Sequence, residues 1–134
     1  MTEDIDDLPS EASAVVVIER NEIPNTNVWV KQEHNIDSMG PFSDGTYVFY
    51  YEYDMYYFSS EAYATDARSY VDTPEEASFT GIEVYGEHRF LEVIDFQLPI
   101  MNIAIEYLQS KGKTKLEWLD TNNHGGYSAI PVTK

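Results

Sequence analysis

The chain has no cysteine, and only eight of its 134 residues are lysine or arginine. The first absence rules out disulfides, thiolate zinc sites and a cysteine nucleophile. The second leaves no Lys/Arg patch to hold nucleic-acid phosphate, because the few basic residues face 24 aspartates and glutamates, a formal charge of −16. No direct nucleic-acid ligand is expected. Long apolar runs are missing too: nothing approaches the roughly 18 residues of a membrane span. Met1 to Ser10 lacks the basic start and apolar stretch of a secretion signal. The expectation is a cytoplasmic protein without membrane contact.

Catalytic spacings are equally scarce. His34, His88 and His124 form no HxxxH or HExxH pattern, His124-Gly125-Gly126 has no GxSxG nucleophile elbow beside it, and there is no glycine-rich phosphate loop. Asp72 to Glu83 has the length of a calcium loop, but Pro74 stands at a ligand position and Ala77 where the sharp turn needs glycine. With 24 acids in the chain, pairs of carboxylates arise everywhere and single out no acid/base couple. No catalytic residue, cofactor or metal is predicted, and the protein reads as a non-enzyme.

What the chain does have is acid and tyrosine. Residues 1 to 110 hold 22 carboxylates against four basic residues, whereas residues 111 to 134 carry four lysines against two acids. Thr46 to Phe58, TYVFYYEYDMYYF, contains six of the eleven tyrosines, with Glu52 and Asp54 among them. An acidic field of this size speeds association with a basic surface. Apolar residues at 43% are ample for a packed core, so the charge does not signal disorder, and the length suits one domain spanning 1 to 134, with 1 to 13 an acidic, frayed start.

Patterning predicts an α+β domain, a mainly antiparallel sheet with one principal helix, about 99 to 111, packed on one face. Ala14 to Arg20 is β-branched and reads as a buried first strand. Asn27 to Gln32 alternates as a second, paired through a turn at Pro24 and Asn25. Glu33 to Asp44 reads as a loop, and Ser59 to Ser78 as a polar segment with a short helix start at Thr73-Pro74. Phe79 to Tyr85 and His88 to Ile94 are strands joined at Gly86-Glu87. From Pro99 the spacing of Met101, Ala104, Ile105 and Leu108 marks a helix that Gly112 stops. Leu116 to Leu119 is a last strand before a Gly-rich tail.

As a strand, the tyrosine-rich segment has two faces. Tyr47, Phe49, Tyr51, Tyr53, Met55 and Tyr57 are assigned to the core under the helix, which leaves Tyr50, Glu52, Asp54 and Tyr56 toward solvent. Tyrosine offers rigid contact area at low entropy cost, and carboxylates beside it accept bidentate bonds from arginine. Together with Glu61, Asp66, Asp72, Glu75 and Glu76, this set is the candidate contact zone for a basic protein.

The segment Leu98 to Trp118, LPIMNIAIEYLQSKGKTKLEW, resembles the C-terminal signature of immunity protein family one, bacterial proteins that guard against polymorphic toxins. The matching positions are Pro99, Ala104, Tyr107, Leu108, Gly112 and Trp118. The family often has a proline between the Gly and the Trp, where this chain has Lys113-Thr114-Lys115. The resemblance spans about a quarter of the chain. It implies a non-enzymatic inhibitor that binds a cognate nuclease or deaminase toxin domain, as a monomer or in a 1:1 complex. The alternative is an acidic DNA mimic that competes with DNA for many basic proteins. A small hydrolase or sugar-binding domain would instead need a concave pocket lined by carboxylates.

Overall fold

The computed structural model describes residues 11–130. It opens with a hairpin in which β1 (Glu11–Ile23) and β2 (Val28–Met39) pair antiparallel. Asn25 and Asn27 in its turn take left-handed backbone, φ 65° and 61°, a conformation asparagine tolerates better than most residues. The Thr26 hydroxyl closes the turn by donating to the Ile23 carbonyl at 2.7 Å.

Three more antiparallel strands follow, β3 (Phe49–Ser59), β4 (Tyr63–Tyr70) and β5 (Glu76–Val84). The far edge of β5 is shared. Its second half pairs with β6 (Glu87–Phe90) through a turn at Tyr85-Gly86, and its first half pairs parallel with β7 (Lys115–Leu119). Between β6 and β7 the chain makes a 3-10 turn (Val93–Gln97) and the helix α1 (Pro99–Ser110). Strand β8 (Tyr127–Ala129) closes the order β1-β2-β3-β4-β5-β7-β8. The fold is α+β, a mostly antiparallel sheet with one principal helix on one face.

Helix α1 forms where its pattern predicts. Pro99 occupies the first turn, and Ile100, Met101, Ala104 and Leu108 form the buried stripe. Gly112, at φ 89°, ends it, while the Lys113 N–H donates back to the Leu108 carbonyl at 2.9 Å. The stripe packs with Val28, Val30, Tyr56, Phe58, Ala67, Phe79, Ile82 and Trp118. Each large side chain buried this way contributes roughly 1.5–3 kcal/mol. Phe96 meets Trp118 edge-on at 5.2 Å.

The β6 end is locked by close approach and by charge. A Cβ on Gly81 would lie 2.8 Å from the Arg89 carbonyl oxygen, so only glycine lets β6 come this near. Arg89 then donates to both oxygens of the buried Asp95, at 2.8 and 2.7 Å, and the Glu92 N–H adds a third bond at 2.7 Å.

Several expectations change. The run Ala14 to Arg20 is exposed, because β1 is an edge strand beyond the reach of most of the helix. The second strand continues through the expected loop to Met39, held by its register with β3. The polar segment Ser59 to Ser78 contains β4, whose Thr65, Ala67 and Ser69 are buried small residues under the helix layer, and Thr73-Pro74 is a turn. Strand β6 stops at Phe90, and Tyr85-Gly86 makes the hairpin turn in place of Gly86-Glu87. Of the expected frayed start, residues 1–10 lie outside the described residues, and 11–13 already belong to β1.

Candidate functional site

The three strands β1, β2 and β3 are longer than the helix that covers them. Helix α1 reaches Val28, Val30, Tyr56 and Phe58. The other ends, near Ala12–Val17, Glu33–Met39 and Phe49–Asp54, form a three-stranded extension over which no helix lies among the described residues.

On the helix side of this extension the register sets His34 opposite Asp54, Ile36 opposite Glu52 and Ser38 opposite Tyr50. His34 bridges two carboxylates, with Nδ1 2.5 Å from Asp54 Oδ1 and Nε2 2.6 Å from Glu52 Oε2. Both ring nitrogens can donate only in the imidazolium form. The bonds to Asp54 and then to Glu52 accordingly raise the His34 pKa above its ordinary 6.5. Gln32 Nε2 donates to Asp54 Oδ2 at 2.8 Å, and the Tyr50 hydroxyl donates to Glu52 Oε1 at 3.3 Å. With two carboxylates around one imidazole, the cluster is net acidic whichever form the ring takes.

The turn between β4 and β5 adjoins it. The Val71 N–H donates to the Glu52 carbonyl at 3.1 Å, so Asp72 leaves the sheet beside Glu52. Lys113 is buried between turn and cluster, its Nζ donating to the Pro74 carbonyl at 2.7 Å and lying 5.9 Å from the Tyr56 ring centre. Burial lowers its pKa, and the charges of Asp54 and Glu75 pull it back up. Tyr50, Glu52, Asp54, Asp72 and Glu75 are thus drawn to one end of the sheet.

The remaining candidates are elsewhere. Tyr56 was assigned to solvent but is 3% exposed, with Tyr107 edge-on to both its ring and that of Phe58 at 6.3 and 5.7 Å. Burial pushes its hydroxyl up to about 12. The even-numbered face of β3 therefore supplies the core where the helix crosses, the reverse of the expected assignment. Glu61 sits in the β3–β4 turn at the other end of the sheet. Asp66 pairs in register with Tyr57 on the opposite face. Glu76 approaches Lys115 at 3.4 Å.

The odd-numbered residues of β3, expected in the core, face an open side. Phe49 stacks on Tyr51 at 5.6 Å, Tyr70 lies 6.3 Å from Tyr51 and 5.6 Å from Tyr53, and the Arg68 guanidinium covers Tyr53 at 4.8 Å. The Tyr53 hydroxyl donates to Asp37 at 2.5 Å, and that bond carries its pKa to about 12. Of the odd-numbered residues of β3 only Met55 is buried, and on β2 Asn35 is buried on the same face. Next to the aromatic row is a hollow of about 910 Å³ lined by Met55, Tyr57, Asp66, Arg68, Glu83 and Phe90, among others. Burial raises the Asp66 pKa against the pull of Arg68 and His88.

Comparison with family models, curated proteins and solved structures returned no match to this chain. Among the described residues no helix is long and apolar enough to cross a membrane, and no group of three or more His, Asp or Glu side chains is placed to hold a metal ion. The segment Leu98 to Trp118 serves packing: Ala104, Leu108 and Trp118 are buried, Pro99 starts the helix and Gly112 stops it.

Sequence reasoning left out His34, Gln32 and Lys113, which organise the acidic end, and treated Tyr51 as core although it is half exposed. The alternation of Gln32 and His34 with two residues of β3 becomes visible only with the strand register. No local signal marks them, because Lys31 to Asn35 is polar throughout and shows no alternation.

Proposed function

We propose that this protein is a non-enzymatic immunity protein that binds a basic toxin domain of the nuclease or deaminase type and covers its active site. The observation that carries the reading is the uncovered end of β1–β3, where tyrosines and carboxylates crowd one surface of a chain of charge −16. Exposed aromatic surface mixed with charge of one sign is what a fast, electrostatically steered protein contact needs. The contact zone is Tyr50, Glu52, Asp54, Asp72 and Glu75, with Tyr47 adding a ring 5.3 Å from Tyr50. The partial resemblance of Leu98 to Trp118 to immunity protein family one supports the same reading. In it the protein works in the cytoplasm of the cell that makes the toxin, without touching nucleic acid or membrane.

The test uses the C-terminal domain of the protein encoded immediately upstream. Association rates with that domain should fall as salt rises, and Asp72→Lys with Glu75→Lys should slow association and weaken protection of cells expressing the toxin. Wild-type protection by the double variant discards this surface, and inhibition of unrelated DNA-binding proteins favours the DNA mimic.

The hollow on the opposite face supports a second reading, a small-ligand site. It brings Asp66 and Glu83 into a concavity with Tyr57 and Phe90, the carboxylate and ring combination that sugar recognition uses. A glycan array with wild type and Tyr57→Ala tests it. A signal lost in the variant is required.

A further inference from the structure

Among the described residues, strand β1 is the longest in the sheet and pairs on one side only, with β2. Ala12 through Glu22 are all exposed, and each of Val15, Val16, Val17 and Ile18 is more than half exposed. An edge of this kind offers unpaired N–H and C=O groups along its outer side, roughly six residues' worth in a strand of this length. Edge strands are ordinarily blunted by proline, lysine, inward charges or bulges. Here a bulge at Ile18, between Val17 and Glu19, interrupts the middle of the strand, and the half before it, Ala12 to Val17, holds neither proline nor charge. An uncharged, valine-bearing half-strand at the edge of an otherwise highly charged protein is a pairing surface.

We propose that β1 pairs antiparallel with β1 of a second copy of this chain, joining the two sheets edge to edge. The argument for a second copy is self-complementarity. An axis through Val16 perpendicular to the sheet sets Val16 opposite itself and Val15 opposite Val17, and brings Ala14 up to the bulge at Ile18. It also carries Glu19 and Arg20 toward Ser13 and Ala12, so no like charges face each other. β-Branched cross-strand pairs are the favourable ones, and like charges directly opposite are the costly ones. The isologous symmetry closes the assembly at two. Both helices then lie on the same side of one continuous sheet, and the acidic ends remain free. A single strand pair is a small interface, so the dimer is a weak, concentration-dependent one.

Two chains of charge −16 repel at long range, and salt screens that repulsion while leaving backbone bonds intact. The dimer therefore strengthens with salt, whereas the toxin complex proposed above weakens. Failure of one reading is thus separable from failure of the other.

The experiment is sedimentation velocity over about 5–500 μM at low and high salt, with Val16→Lys and, because the chain has no cysteine, a single Val16→Cys variant. Opposed residues of an antiparallel pair place their Cα atoms about 4.5–5.5 Å apart, within disulfide range. The wild type should dimerise more at high salt. Val16→Lys should be monomeric even though it lowers the net negative charge, and Val16→Cys should give a disulfide-linked dimer under mild oxidation well above the yield of an Asn122→Cys control. A wild type that stays monomeric throughout, or a dimer that survives Val16→Lys and is not trapped by Val16→Cys, overturns the proposal.

Discussion

Replacing His34 by glutamine removes the cation held between Glu52 and Asp54 without disturbing the core. The imidazolium makes two charge-assisted contacts at 2.5 and 2.6 Å, and its side chain is 28% exposed. Contacts of this kind at a partly solvated surface are worth about 0.2–1 kcal/mol each. Their joint loss, with two carboxylates left facing one another, amounts to about 1–2 kcal/mol, or about 3–8 °C in Tm for a chain of this size. The pH dependence is the diagnostic part. The folded-state pKa of His34 lies above 6.5, so its contribution is complete below the unfolded value and disappears as pH rises through the folded one. Urea melts of wild type and His34→Gln at intervals from about pH 6 to 9.5 should show a gap that is widest at the acid end and closes at the alkaline end. A gap of constant size, or none at pH 6, refutes the imidazolium bridge, as does an NMR titration midpoint for His34 at or below 6.5. Because the variant frees two carboxylates, it should also hold a basic toxin domain at least as tightly as wild type does.

Truncating Phe58, which is fully buried under α1, to alanine should cost about 3–5 kcal/mol in urea unfolding. Asp95 is held below the usual carboxylate range although burial opposes its ionisation, because Arg89 and the Glu92 N–H bond it. Its contribution is present above the unfolded value and lost as pH falls through the folded one. Arg89→Ala should cost about 2 kcal/mol at pH 7 and flatten the acid limb of the stability curve. For Asp66 the sign is opposite: burial raises its pKa, so a destabilisation sets in as pH rises through the unfolded value and is complete above the folded one. Asp66→Asn should be more stable than wild type at pH 7 and equal to it near pH 3, and a destabilised variant at pH 7 would contradict the unpaired, partly buried carboxylate.

How much of this was legible beforehand depended on how local each signal was. The helix from Pro99 to Ser110 is written within one segment, since a 3.6-residue stripe with a proline start and a glycine stop has one helical solution. The β1–β2 turn at Pro24 to Asn27 and the hairpin near Gly86 are local as well, and the excess of acid is read from composition alone. The tyrosine-rich strand has no such local answer. Both of its faces carry aromatic residues, so a period-2 pattern scores either as core. The choice fell to the cross-strand neighbours: Val30 beside Phe58 on β2 and Ala67 beside Tyr56 on β4 build the surface on which Leu108 and Met101 pack. Beyond the end of the helix no element among the described residues covers the same face, and Glu52 and Asp54 turn instead to His34.

Composition and local patterning by themselves thus determined the fold class, the helix and the acidic charge of the chain, because each depends on residues close in sequence or on their total. Tertiary structure alone decided that Tyr56 is core, that His34 joins Glu52 and Asp54 from 18 and 20 residues away, and that Val15 to Ile18 lie on a free edge. Each of those depends on which strands are neighbours and where the single helix stops, and a strand's own sequence carries neither fact.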